Sequence, residues 1–292
     1  MVTIFTPTYN RKNLLLNLKV SLDNQIDRDF EWIIVDDGST DDTERAVSSW
    51  LHNVDYFIRY YKQQNSGKHC AFNKAVKMAQ GDIFVCVDSD DVLTPEAVGL
   101  IKSSFLDLDS QDVGVVSPRV NRKGEQEPEW QHIDSKKVDI IDLKEVYGIV
   151  ESAIAIRTNI LQKEEPFIEF ENEKFLPEGW LYLDLSRKGK FIAKSKAYYI
   201  SEYQETGLTK NIWNHWENNY QGVLATLKKK YEVSKKYDFV NCQKVQIKTI
   251  LNINSLCLAT HQNVFKITPS KMKSIIFFVP SWCVYRIRYR KN

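Results

Sequence analysis

The sequence predicts an α/β protein: a mixed, mostly parallel sheet flanked by helices, continued by a helical C-terminal extension. Three observations predict it. Short apolar runs alternate with helix-length amphipathic stretches through the first 118 residues, the pattern of right-handed β-α-β crossovers. Those runs are continuously apolar, as strands covered on both faces are. Four polar stretches, TPTYN (6–10), DDGSTDDT (36–43), NSGKH (65–69) and DSDD (88–91), each follow such a run, at the strand ends where open parallel sheets bind ligands.

The elements are justified in turn. Residues 2–6 (VTIFT) read as a buried strand, and Leu14, Leu15, Leu18 and Leu22 mark one face of a helix over about 11–25, with Asn10 as its cap. EWIIV (31–35) is a second strand, and Ser39 or Asp41 can cap the helix that runs to about 52. YFIRYY (56–61) is a third strand, followed by a helix over about 69–79. Gly81-Asp82 turns into a strand over 83–87, and Thr94-Pro95-Glu96 starts the next helix with proline at the first helical position. VGVVS (113–117) is a fifth strand. Beyond 118 the pattern weakens. A polar region spans 121–135, VESAIAI (150–156) reads as a strand or buried segment, 180–188 as a helix, 191–200 as a strand, and 211–236 and 243–260 as helices.

Hydrophobic content of 43% and charged content of 27% are ordinary for a folded, water-exposed protein. Cys70, Cys86, Cys242, Cys257 and Cys283 are odd in number and form no CxxC, so they read as reduced, mostly buried thiols of a cytosolic protein. No signal peptide and no run of about 18 apolar residues is read. The net charge of +2 conceals an asymmetry: Asp238 is the last acidic residue, and 239–292 carry nine Lys and Arg on a body of charge −7. A basic segment of this kind suits an anionic partner. With an acidic body and no recognition motif, nucleic acid is excluded as that partner. In 274–292, Phe277, Phe278, Trp282, Tyr285 and Tyr289 interleave with the basic cluster. That composition suits either an anionic membrane surface or a packed helix with a solvated end, or a dimer contact.

The polar loops carry the chemistry. Asp88, Asp90 and Asp91 gather abruptly after an apolar strand, either as a site for a hard cation or as strand-end and cap carboxylates. Asp37 can accept a hydrogen bond, Asp36 anchors its loop, and Gly38 allows a tight turn. Asn65, Gly67 and Lys68 open a helix, which suits an anion, although Asn65 or Ser66 can equally be an ordinary cap. Arg11 is either solvated or a phosphate contact.

TPTYN (6–10), VDDGSTDDT (35–43), NSGKHCAFNKA (65–75) and VDSDD (87–91) together resemble the family-2 glycosyltransferases, which have the GT-A fold. The resemblance is densest over the first hundred residues and reaches to about 205. It implies a nucleotide-sugar-binding half over 1–118, an acceptor-binding half over 119–210 and an extension over 211–292. It implies an inverting transfer of a hexose or N-acetylhexosamine from a UDP-sugar to a saccharide acceptor, plausibly lipid-linked, in bacterial surface polysaccharide assembly. Mn2+ or Mg2+ would assist UDP departure. By resemblance Asp90 is the metal ligand, and Asp88 contacts ribose or a metal-bound water. Pro7, Thr8, Tyr9, Asp36, Asp37, Asn65, Gly67, Lys68, Asn73 and Ser89 face the nucleotide, with Asn73 reaching ribose or sugar. Asp91 holds the sugar or caps its loop. Glu178, in LPEGW, stands where the family carries its base, although the usual Glu-Asp pair is absent. Trp180 is a sugar platform or a core residue, and Lys210 a diphosphate contact. The implied place of work is cytoplasmic, peripheral at the inner face of the cell membrane, with an oligomer possible.

Two other classes remain. A sugar nucleotidyltransferase would want a glycine-rich basic loop after the first strand, where TPTYNRKN has no glycine. A non-catalytic sugar-nucleotide or glycan-binding relative would bind UDP without turnover.

Overall fold

The computed structural model describes residues 1–51, 53–163, 166–201 and 211–290. The chain divides into two compact units, Met1–Phe167 with Asp184–Gln204, and Ile168–Leu183 with Glu205–Asn292.

The first unit carries the sheet. Strand β1 (Val2–Thr8) leads to helix α1 (Lys12–Asp23), β2 (Phe30–Asp36) to α2 (Thr43–Trp50), and β3 (Phe57–Lys62) to α3 (Lys68–Met78). Then come β4 (Ile83–Cys86), β5 (Val92–Leu93), α4 (Ala97–Ser104) and β6 (Gly114–Val120). The short α5 (Trp130–Ile133), β7 (Lys137–Val138) and α6 (Asp142–Glu145) precede β8 (Ser152–Arg157), α7 (Thr158–Leu161) and α8 (Gly179–Lys188), of which this unit holds the part from Asp184. β9 (Phe191–Ala193) and β10 (Tyr199–Ile200) close the sheet. The strand order is β3-β2-β1-β4-β8-β6-β10-β5, with β9 beside β6 and β7 beside β9. β3, β2, β1 and β4 run parallel, whereas β8 opposes both β4 and β6, so the sheet is mixed.

All seven residues of β2 are buried, because helices cover both faces. Successive strand residues point opposite ways: Ile4 packs in the cluster that holds Leu15 and Leu18 of α1, while Phe5 meets Phe72 of α3 edge-on at 5.6 Å. Trp32 stacks on Trp50 of α2 at 6.0 Å and donates its indole N–H to Thr6 Oγ1 at 3.0 Å. Glu31, one of two buried carboxylates in β2, accepts from Thr3 Oγ1 at 2.6 Å and Gln80 N at 2.7 Å and pairs with Arg59. A charge removed from water is tolerated only when its oxygens are satisfied in this way.

Several expectations change. Residue 118 lies inside β6, which pairs along its length with β8. The strand expected over 191–200 is two strands, both parallel to β6, with β7 beside the first and β5 beside the second. Asn10 does not cap α1; it adopts φ 52° and its side-chain Oδ1 accepts Thr40 N at 2.8 Å from the loop after β2. Asp41, from that same loop, receives Lys12 N at the start of α1 and Thr43 N at the start of α2. No disulfide joins the described cysteines, of which only Cys257 is buried and Cys283 is exposed.

The second unit is helical: α9 (Ile212–Asn218), α10 (Tyr220–Val233), α11 (Phe239–Ala259), α12 (Val264–Ile267), α13 (Lys271–Ile276) and α14 (Phe278–Arg288). Asp238 caps α11 through Val240 N and Asn241 N. The Glu173 carboxylate receives Gln221 N and Gly222 N, each at 2.8 Å, at the start of α10. Among the described residues no helix is long and apolar enough to cross a membrane.

Candidate active site

Register brings the polar loops to one level. Thr8 pairs with Asp36, and Asp36 with Lys62, so the loops after β1, β2 and β3 leave the sheet side by side. Asp36 is wholly buried and receives Ser39 N at 2.7 Å and the Tyr60 hydroxyl at 2.5 Å. These two bonds tie it to its own loop and to β3. Burial, reinforced by this carboxylate, pushes the Tyr60 phenol well above its ordinary range.

Asp37 reaches the next loop. Its Oδ1 accepts from Ser66 N and Gln63 Nε2 and its Oδ2 from Gly67 N, each at 2.8 Å. Neither Asn65 nor Ser66 caps α3, which has no cap from its own N-cap side chain; the cap arrives from Asp37 instead. Three of about four acceptor sites on that carboxylate are thereby engaged, leaving one for a ligand. Gly38 sits at φ +85°, and a Cβ there would lie 3.0 Å from Asn65 N, so only glycine lets the two loops approach this closely. Gly67, at φ +97°, makes the turn into α3.

A charge cluster lies beyond β4. Lys68 Nζ is 2.6 Å from Asp88 Oδ1, and Arg11 Nη1 is 3.1 Å from Asp90 Oδ1. Arg11, read as solvated or phosphate-facing, thus holds a carboxylate and reaches Ser89 Oγ at 3.5 Å. The Asp88 and Asp90 side chains are 26% and 16% exposed, open enough to meet a ligand, while Ser89 and Asp91 are buried. Burial pushes Asp88 up, but Lys68, Arg119 and Arg11 outweigh it and hold the carboxyl below its usual range.

Asp91 faces inward. It accepts from the Tyr199 hydroxyl at 2.7 Å, and that oxygen in turn accepts Asp88 N at 3.1 Å. Arg119 Nη1 lies 3.9 Å from Asp91, and its guanidinium lies over the Tyr199 ring at 4.4 Å, because β6 and β10 pair Arg119 with Tyr199 directly. Asp91, read as a sugar contact or a loop cap, is buried and bonded to the scaffold. Burial pushes its carboxyl up to about 6, against the Tyr199 hydrogen bond, with Asp88 adding to the rise.

The remaining candidates divide. Pro7 lies within β1, paired with Val35. Thr8 is buried, its carbonyl receives Asp37 N at 2.8 Å, and its hydroxyl has no hydrogen-bond partner among the described residues, a polar atom that a ligand group can satisfy. Tyr9 is 47% exposed beside it, as a stacking platform must be. Asn73, read as facing ribose or sugar, is buried, and its amide donates to Phe167 O at 2.8 Å and accepts Phe167 N at 3.0 Å, clamping the main chain. In the second unit Glu178 is exposed immediately before α8 and accepts from the Tyr182 hydroxyl at 3.0 Å. Trp180 carries the Lys229 ammonium 3.8 Å from its ring centroid. Lys210 lies outside the described residues. Arg119 and Tyr199 were missed by sequence reasoning, since each stands in a strand whose partners lie far away in the chain.

Among the described residues no three His, Cys, Asp or Glu side chains gather as a metal cage. Asp88 and Asp90 are two partly open, hard oxygen donors, a set that fits a divalent cation whose other ligands come from a diphosphate and water.

Fold and site thus define a mixed α/β protein of the GT-A class, with cations and carboxylates gathered at the carboxyl edge of its parallel strands. The family model described as Glycosyl transferase family 2 matches residues 3–165, and the chain belongs to that family. Chondroitin synthase of Escherichia coli is 36% identical over 125 residues, covering 42% of this chain and 18% of that protein. Poly(ribitol-phosphate) beta-N-acetylglucosaminyltransferase TarS of Staphylococcus aureus (strain MW2) is 26% identical over 211 residues, 70% of this chain and 36% of that one. The chain therefore spans well under half the length of these relatives. The crystal structure of S. aureus TarS 1-349 in complex with UDP-GlcNAc superimposes with a TM-score of 0.58 at 18% identity, covering 99% of this chain and 89% of that one, a likeness of fold.

Proposed function

We propose that the chain is an inverting glycosyltransferase that moves a hexose or N-acetylhexosamine from a UDP-sugar to a saccharide acceptor in surface glycan assembly. The observation that carries this reading is the pairing of Lys68 with Asp88 and of Arg11 with Asp90, beside the loops of Thr8 and Asp37, in a family-2 chain. Two cations and two partly open carboxylates at one sheet edge suit a nucleoside diphosphate, whose negative charge grows as the sugar departs.

Tyr9 and Thr8 bind and orient the uracil, with the remaining acceptor site of Asp37 for its N–H. Lys68 and Arg11 face the diphosphate. Asp90 and Asp88 would hold Mn2+ or Mg2+, which when bound supplies neutralising charge to the departing diphosphate. Asp91, Tyr199 and Arg119 fix the loop that presents those carboxylates. Glu178 takes the proton of the acceptor hydroxyl, a role a carboxylate before a helix can fill, and Trp180 serves the sugar. The acceptor is lipid-linked, and the chain works peripherally at the inner face of a cell membrane.

A panel of UDP-sugars assayed for UDP release, with and without a saccharide acceptor, tests the reading. Acceptor-stimulated release from at least one donor is expected. UDP binding without release from any donor would reduce the chain to a binding relative.

A further inference from the structure

The last described helices present their faces in reverse. In α13 and α14 the wholly covered positions are small and polar, Ser274 and Ser281. Ser274 Oγ lies 2.6 Å from Thr268 Oγ1, and its carbonyl receives Asn254 Nδ2 from α11 at 3.1 Å. Ser281 donates to Phe277 O at 2.7 Å. The helices are held firmly in this sense, because Arg288 donates to Asn252 Oδ1 of α11 at 2.6 Å and lies over the Trp213 ring at 3.9 Å. The large apolar side chains face outward instead: Met272, Ile276, Val279, Trp282 and Ile287 are all exposed, Val279 by 70% and Ile287 by 77%. In α14, Val279, Trp282 and Arg286 recur at three- and four-residue spacing, which makes one stripe. An exposed apolar stripe on a fixed helix marks an interaction surface.

Charge selects the occupant. Lys271, Arg286 and Arg290 are exposed along the same segment, Arg286 lies over the Trp282 ring at 5.6 Å, and the sequence has no Asp or Glu after Asp238. A second copy of this face would oppose cation to cation. A lipid surface offers both an apolar layer and phosphate anions. We propose that the outer face of α13 and α14 docks on an anionic lipid bilayer, with the apolar stripe entering the headgroup–acyl boundary and the three cations meeting lipid phosphates. The segment lies on the bilayer, since neither helix has the length to span it. This deepens the proposed function, on which it rests for its purpose: the surface on which the chain docks is the one that carries a lipid-linked acceptor.

The test is cosedimentation of the full chain with vesicles of phosphatidylglycerol and phosphatidylethanolamine, against vesicles of phosphatidylcholine alone. Wild type is expected to pellet with the anionic vesicles, less so as salt rises. The double variants Ile276→Glu/Val279→Glu and Arg286→Gln/Arg290→Gln are each expected to bind about ten-fold more weakly, with unchanged melting temperature and unchanged UDP-sugar hydrolysis. Three outcomes overturn the proposal: wild type stays in the supernatant with both vesicles, the glutamate variant binds like wild type, or the glutamate substitutions instead dissociate a dimer seen by analytical ultracentrifugation. Vesicle binding without UDP-sugar turnover leaves the docking surface standing and removes only the catalytic reading; turnover without vesicle binding does the reverse.

Discussion

The Lys68 ammonium lies 2.6 Å from the Asp88 carboxylate, joining the start of α3 to the loop after β4. The two residues stand 20 positions apart in sequence, and β2 and β1 lie between the strands that precede them. Burial works against the charge on Asp88, and Lys68 is the foremost group that sustains it.

Replacing Lys68 should therefore do more than remove one donor. Lys68→Ala leaves Asp88 without this counter-charge and removes one of the two cations proposed to face the diphosphate. A fall in kcat/KM of about 10- to 100-fold is expected, with Lys68→Arg retaining much of the activity. Steady-state UDP-release kinetics would show it; wild-type kcat/KM in Lys68→Ala would remove Lys68 from the site.

Asp37 is a structural joint between two loops. Asp37→Ala removes three hydrogen bonds to a charged acceptor and leaves the Ser66 and Gly67 amides without their partner. A loss of about 3 kcal/mol is expected, read as a lower unfolding midpoint in urea, together with weaker UDP binding. An unchanged midpoint would show that the start of α3 does not depend on this carboxylate.

Glu178 and UDP are expected to be energetically separate. Glu178→Gln should lower sugar transfer by about 10²- to 10⁴-fold, as loss of a general base does, while UDP affinity by calorimetry stays at the wild-type value. Tyr182→Phe, which removes the hydroxyl donated to Glu178 at 3.0 Å, should have the smaller effect. Lost UDP binding in Glu178→Gln would assign the residue to structure.

The cysteines report burial chemically. Burial pushes the Cys257 thiol up to about 11, with Lys228 pulling the other way, whereas Cys283 is exposed. A raised thiol pKa means little thiolate at neutral pH, and thiolate is the reactive form. Iodoacetamide at about pH 8 should modify Cys283 and spare Cys257 until denaturant is added. Mass spectrometry of digests reads the difference, and rapid alkylation of Cys257 in the native chain would contradict its placement.

Much of this site was legible because strand ends announce themselves. The passage from IFVC to DSDD, or from EWIIV to DDGST, needs no partner to be seen, and parallel topology fixes that such ends share an edge. What was hidden depends on partners distant in the chain. Arg119 sits in an ordinary strand, and only its register with Tyr199 places it near Asp91. Asn73 sits near the start of α3, where a ligand contact was expected, and Phe167, which is 94 residues away, takes both ends of its amide. Asn10 fits the composition of a cap, but its φ of 52° turns the side chain to the neighbouring loop. The reversed faces of α13 and α14 were legible only as composition, because which side of a helix is covered depends on α11.

The central claim is that Asp90 and its neighbours gather around the diphosphate of a UDP-sugar and its cation. The most direct measurement is acceptor-dependent UDP release by wild type and Asp90→Ala, each with Mn2+ or Mg2+ and with EDTA. Wild type is expected to turn over with metal and to stop in EDTA, and Asp90→Ala to be slower by about 10³-fold at equal folded content. Wild-type turnover by Asp90→Ala, insensitive to EDTA, would contradict the claim.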